Sequence, residues 1–211
     1  MAYSIVGIWN MALQRIGAQG RITALDDGTP NAIKINAVWE YIRDEVLEDI
    51  KPKFATVRKT LAQSATEPAN IEVYAYAYPL PSDYLCLADG IEGDPPIWPE
   101  DIGPYVLETL SPTDESLSLM TNYDSVTADQ DVYLTYVKRL VNPAKYPASF
   151  INALAFRLAA ELTFSIVESA GKYQAMMQLY DRAKKKARAA SLDQDYLRDE
   201  KGSDSWETAG R

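Results

Sequence analysis

A change of hydrophobic period, from three-to-four residues to two and back again, most limits what this chain can fold into. Ile5, Ile8, Trp9, Ala12, Leu13 and Ile16 recur at spacings of three and four, which is one face of a helix. Gly17 and Gly20 stop it. Asp26-Asp27-Gly28-Thr29-Pro30 reads as a turn into a second helix, with Thr29 as N-cap and Pro30 at the first helical position. Ile35, Val38, Trp39, Ile42, Val46, Leu47 and Ile50 form its apolar stripe, and Glu40, Arg43, Asp44 and Glu45 fill the other face. Pro52 is expected to interrupt this helix near its end, and a shorter helix over 54–61 to follow at an angle.

Residues 63–143 hold most of the twelve prolines and change to a period of two. Ile71, Val73, Ala75 and Ala77 alternate with Glu72, Tyr74, Tyr76 and Tyr78, which reads as a strand ended by Pro79-Leu80-Pro81. Residues 84–88 read as a short strand or turn, and 105–110 as another strand. Residues 131–141 give the clearest strand. Val132, Leu134 and Tyr136 lie on one face and Tyr133, Thr135 and Val137 on the other. Both faces are mostly apolar or aromatic, so a central position is expected. Residues 90–96 and 121–130 read as turn-rich loops.

Helical spacing returns after Pro147. Leu154, Leu158, Leu162 and Ile166 form an i, i+4 ladder, and Ala153, Ala155, Ala159 and Ala160 allow another helix to approach closely. The stretch 150–167 is the most apolar, but Arg157 and Glu161 break it, so a buried helix is expected rather than a membrane span. A break is expected at Gly171, followed by a helix over 173–190 carrying Arg182, Lys184, Lys185, Lys186 and Arg188. The resulting class is α+β and mainly α: an antiparallel helical bundle with an inserted small antiparallel β-sheet and an extended C-terminal arm. A single domain over 1–190 and an arm over 191–211 are expected.

Charge and residue usage narrow the chemistry. Lys plus Arg is 21 against 30 Asp plus Glu, a net charge of −9. Phosphate neutralisation needs clustered cations, so so acidic a chain is a poor general binder of nucleic acid. There is no histidine, which removes the commonest general base and the Ser-His and Cys-His nucleophile pairs. The single cysteine, Cys86, excludes an intrachain disulfide and a Cys-rich zinc site; it reads as a buried apolar thiol. No phosphate-binding glycine loop, nucleophile elbow or metal-ligand cluster is visible. No enzyme activity, cofactor or metal is expected.

The remaining candidates read as structure or as contact surface. Asp26-Asp27 resembles a carboxylate pair, but the Gly-Thr-Pro context favours a turn. Glu45, Glu48 and Asp49 crowd a helix end, where a solvated acidic face is favoured over a cation site. Tyr74, Tyr76 and Tyr78 carry no interleaved basic residues, which favours packing or a subunit contact over base stacking. In the basic block, Arg182, Lys185 and Arg188 read as part of a solvated or protein-contacting face. The alternative is a nucleic-acid-binding regulatory module using the helix 182–188. In the polar tail, Trp206, Tyr196 and Leu197, with Arg198, read as anchors of an arm that orders on a partner.

An ordered set of segments then resembles a known family. Ala12-Leu13-Gln14-Arg15-Ile16-Gly17-Ala18 is followed by Ile22 and Leu25-Asp26-Asp27, by Tyr41, Arg43 and Leu47, and by the segment 54–62. The strand and turn at 76–85, YAYPLPSDYL, is the most recognisable piece. Tyr146-Pro147-Ala148-Ser149-Phe150 then opens a helix resembling the family's over 153–162. Together these resemble the head-to-tail adaptor (connector) proteins of tailed bacteriophages, of the tail tubular protein A type. One departure is Lys51-Pro52-Lys53 before Phe54, where such proteins commonly carry a tryptophan.

The resemblance implies a structural virion protein, made in the host cytoplasm and placed in the neck or tail of the particle. It implies a dodecameric ring below the portal protein that extends the DNA channel and offers a platform to a downstream tail or nozzle protein. The helical bundle forms the ring body and the C-terminal segment reaches the portal. Genomic DNA would pass without specific binding, past a negative wall that repels phosphate, and no membrane is involved.

Overall fold

A computed structural model describes residues 3–66, 68, 73–88, 96–99, 102–110 and 116–199, with the backbone alone for residue 98 and residues 193–199. The chain is α+β. It forms two compact units: one holds the residues up to Phe54 with those from Leu140 onward, the other Ala55–Arg139. The strand-bearing unit therefore begins before residue 63 and closes before residue 143, where the sequence pattern sets its limits.

The helical unit starts with α1 (Ile5–Ile16). The Ser4 hydroxyl accepts from the Gly7 amide at 3.0 Å, and Gly17 ends the helix in the left-handed region with φ 72°. Helix α2 (Pro30–Ile50) begins as the sequence dictates, with the Thr29 hydroxyl accepting from the Ala32 amide and Pro30 in the first turn. The Asp27 carboxylate accepts from the Thr23 and Thr29 amides and the Thr29 hydroxyl, at 2.7–3.0 Å. Asp27 is thus the clasp of a turn, and these bonds, that from Thr23 foremost, hold its carboxyl below the usual range.

The expected helix over 54–61 does not form. Lys51 ends α2 with φ 48°, one 3-10 turn follows at Lys53–Ala55, and Thr56–Leu61 is a strand, β1. Thr56, Val57 and Thr60 are β-branched, and the ladder this segment finds in the sheet outweighs its weak helical spacing.

Helix α4 (Ala148–Leu162) is the hub of the helical unit and packs against α1, α2 and the last helix, α5 (Ala170–Asp199). Ala153, Ala155, Ala159 and Ala160 are completely buried, the small side chains that let helix axes approach. By length and composition Ala148–Val167 could cross a membrane, but 61% of its most apolar window is buried within the fold, as in a core helix. The Arg15 guanidinium joins α1 to α4: it donates to the Asn152 carbonyl and side chain at 2.9 and 2.6 Å and lies over the Phe156 ring, 3.6 Å from its centre.

The break expected at Gly171 lies earlier. Thr163–Val167 forms a π-helical turn and Glu168 takes φ 53°, while Gly171 sits inside α5. The cause is local: the Thr163 hydroxyl donates back to the Ala159 carbonyl at 2.8 Å, and the Glu168 amide reaches the Thr163 carbonyl, five residues back. A second correction concerns the tail. Helix α5 continues past Ser191 to Asp199, so the first part of the expected extended arm is helical.

The strand-bearing unit contains two antiparallel sheets, not the single small one expected. In the first, β7 (Val132–Lys138) is central, as its two apolar faces require, and pairs with β1, β3 (Tyr84–Leu87) and β4 (Ile97–Trp98). In the second, β6 (Leu117–Thr121) lies between β2 (Tyr76–Pro79) and β5 (Tyr105–Thr109). Tyr78, Leu119, Val132, Leu134 and Tyr136 anchor the core of this unit. Strand β2 is shorter than the alternation suggests because the Asn122 side chain holds the backbone ahead of it, accepting from the Ala75 amide and donating to the Val73 carbonyl. A short helix, α3 (Ser125–Ala128), lies within the expected loop at 121–130; the Asp124 carboxylate accepts from the Val126 amide at its start.

Candidate interaction surfaces

Two of the acidic residues at the end of α2, Glu45 and Asp49, are built into a network, while Glu48 is exposed. Arg157, only 8% exposed on α4, donates from Nε to Glu45 Oε1 at 3.1 Å and places Nη2 2.9 Å from Oε2. Its Nη1 donates to Glu161 at 3.0 Å, one turn further along α4. Asp49 receives the Tyr180 hydroxyl at 2.5 Å and the Lys184 ammonium at 2.9 Å, both from α5. Burial alone would raise the Asp49 carboxyl, but the hydrogen bonds from Tyr180 and Lys184 hold it below the usual range. The Tyr180 phenol is pushed far up, first by burial and then by Asp49. The positive charge facing these carboxylates is thus the protein's own, and the network fastens α2, α4 and α5 together.

The tyrosine stripe divides. Tyr74 and Tyr76 are half-buried, whereas Tyr78 is 0% exposed. Its hydroxyl lies 2.8 Å from the Tyr123 carbonyl and 3.2 Å from Gln63 Oε1, and accepts from the Ser125 amide at 3.1 Å. Tyr78 is a core residue with a satisfied polar tip; the surface contact expected of it is corrected. Tyr76 stands beside Asp124, whose charge and hydrogen bond raise its phenol. Cys86 is half-buried in β3.

The basic block sorts by direction. Lys184 turns inward to Asp49, while Arg182, Lys185, Lys186 and Arg188 are exposed. The buried face of α5 carries Tyr180, Ala183, Ala187 and Ser191, and at 100° per residue Arg182 and Lys185 lie opposite it. The Ser191 hydroxyl accepts from the Lys53 amide at 2.8 Å, which seats α5 beside the end of α2. Tyr196, Leu197 and Arg198 lie on the last turns of α5, their side chains outside the described residues, as is Trp206.

Several exposed apolar residues are not assigned to a surface by the sequence pattern, two of them on α2. Ile33 and Tyr41 on α2 are 63% and 66% exposed. Their signal is phase: they fall two turns apart on the side away from Ile35, Trp39 and Ile42. Among the described residues, no three Cys, Asp or Glu side chains gather as a metal site. A scan against protein-family models finds no match, and a search of curated proteins finds none either.

Proposed function

We propose that the chain is a structural component of a phage particle, a connector forming a ring between the portal and the tail. One observation carries this reading. The polar groups that first suggest chemistry, Asp27, Glu45, Asp49 and Tyr78, are each engaged in holding the fold together. The outward-facing features are charged and apolar helix faces, which act by contact. The ordered sequence resemblance to head-to-tail adaptors supplies the kind of contact.

In this reading the helical unit is the ring body, an antiparallel bundle around α4, and the segment from residue 200 onward is the arm that meets the portal. Copies number twelve, and DNA passes through the channel unbound. Cryo-EM of intact particle necks tests this: the chain is expected as a ring directly below the portal, and its absence from purified particles refutes the reading.

The exposed cations of α5 favour a second reading, a module that binds nucleic acid. The exposed row is short, Asp181 stands beside it, and the net charge of −9 opposes a polyanion. A gel shift that weakens steeply with salt would support the second reading over the first.

A further inference from the structure

Two faces of the helical unit point away from its core and carry opposite charge. On α2, the residues opposite the buried stripe include Ile33, Ala37, Glu40, Tyr41 and Glu48, all exposed. On α5, the corresponding residues are Arg182, Lys185, Lys186, Ala189 and Leu192, also exposed, with Leu192 at 55%. Large apolar side chains set within a charged row mark a contact surface better than a solvated one.

We propose that the α2 face of one copy docks on the α5 face of a second copy, the two helices antiparallel, with Ile33 opposite Leu192 and Glu40 opposite Lys185. The order of residues selects this arrangement. Along α2 Ile33 comes first and Glu40 follows; along α5 Lys185 comes first and Leu192 follows. Only an antiparallel pairing matches both. The spacing agrees as well: Ile33 to Glu40 and Lys185 to Leu192 are both seven residues, about 10 Å along a helix axis. The Tyr41 ring then lies by the Lys185 and Lys186 ammonium groups, a cation–π arrangement.

Asp49 binds Tyr180 and Lys184 on the inner sides of α2 and α5, which leaves the two outer faces turned away from each other. Each copy therefore offers one face of each kind, and the contact is head-to-tail. Repeated contacts of this kind close into a ring or run on as a filament. The inference rests on the ring reading for the identity of the occupant and adds the residues that would join the copies.

Sedimentation of the full chain tests it, with two variants, E40K and K185E. The wild type is expected to self-associate, less so at high salt. Each variant alone should weaken association about tenfold or more. An equimolar mixture of the two should regain it, because every contact then joins opposite charges. L192A provides a check that removes no charge and should also weaken association. If a variant that keeps the wild-type circular dichroism associates as the wild type does, or if the folded mixture stays apart, the pairing is overturned. A ring seen in particles despite that result leaves the connector reading standing. A wild-type chain that stays monomeric at every concentration and salt, and is absent from particles, overturns both.

Discussion

The Tyr180 phenol donates to the Asp49 carboxylate at 2.5 Å, and the Lys184 ammonium stands 2.9 Å from the same oxygen. One oxygen of α2 therefore holds two side chains of α5 that are four residues apart. Tyr180→Phe removes one of these bonds and keeps the ring in place. A hydrogen bond to a charged group contributes about 1.5–3 kcal/mol, and Lys184 still partners Asp49, so a loss near the lower end, about 1.5 kcal/mol, is expected in urea unfolding.

Arg157 joins α2 to α4 through Glu45 and spans a turn of α4 through Glu161. Breaking a buried pair by removing one partner typically costs about 3–5 kcal/mol. Glu161 reaches solvent, but Glu45 Oε2 is buried and loses its partner with the guanidinium, so Arg157→Ala should destabilise toward the lower end, about 3 kcal/mol. Glu161→Gln alters only the more exposed arm and should cost no more than about 0.5 kcal/mol. Denaturant titration of both variants separates the two effects.

Ala159 is completely buried on α4. Ala159→Leu adds volume where no space exists, and overpacking of this kind costs about 1–3 kcal/mol. A lowered melting temperature with unchanged helical content is the expected result. An unchanged melting temperature would contradict the close packing of α4.

Three phenols set the alkaline limit. Burial, first of all, pushes the Tyr146 hydroxyl up to about 12, and Tyr136 and Tyr180 are also raised, by burial and by Asp83 and Asp49 respectively. In the unfolded chain each ionises near pH 10. The stabilisation they contribute is fully present below that value and declines as pH rises through the folded values. Asp49 works in the opposite direction. Its depressed carboxyl contributes above the unfolded carboxylate pKa of about 4, and the contribution is lost as pH falls through its folded value. Thermal melts should therefore show steep losses above about pH 10 and a smaller one below about pH 4.

The arm can be removed without disturbing the body only beyond a definite point. Ser191 accepts from the Lys53 amide, so a chain ending at residue 190 loses that bond and should melt earlier. Chains ending at residue 191 or 199 keep it and should fold normally. In the proposed role, both should fail to attach to the portal. Portal pull-down and melting curves together check this, and attachment by both truncated chains would refute the arm.

Much of this architecture was legible wherever a residue's own chemistry fixes the backbone. Thr29-Pro30 starts α2, Gly17 ends α1, and the two apolar faces of Val132–Lys138 imply a central strand. Legibility failed where a distant partner decides. Thr56–Leu61 is a strand because Val132–Val137 pairs with it, and its three β-branched residues alone are too weak a signal to announce that. The break is expected at Gly171 rather than at the π-turn because glycine is a louder signal than Thr163, whose hydroxyl bends the helix through a single bond. Among the surface candidates, the outward direction of Arg182 and Lys185 followed only from seeing Tyr180, Ala183 and Ala187 buried. Tyr78 looked like a neighbour of Tyr76 in a stripe, yet its burial depends on the Tyr123 carbonyl, 45 residues away.

The strand-bearing unit enters by β1 and leaves by β7, and Thr56 faces Val137 across that ladder. Paired strands lie about 5 Å apart. Cutting the sheets out there leaves a gap that a two-residue splice can bridge. The unit is thus a cassette: its sequence can be exchanged or resized while the helices on either side keep their own connections.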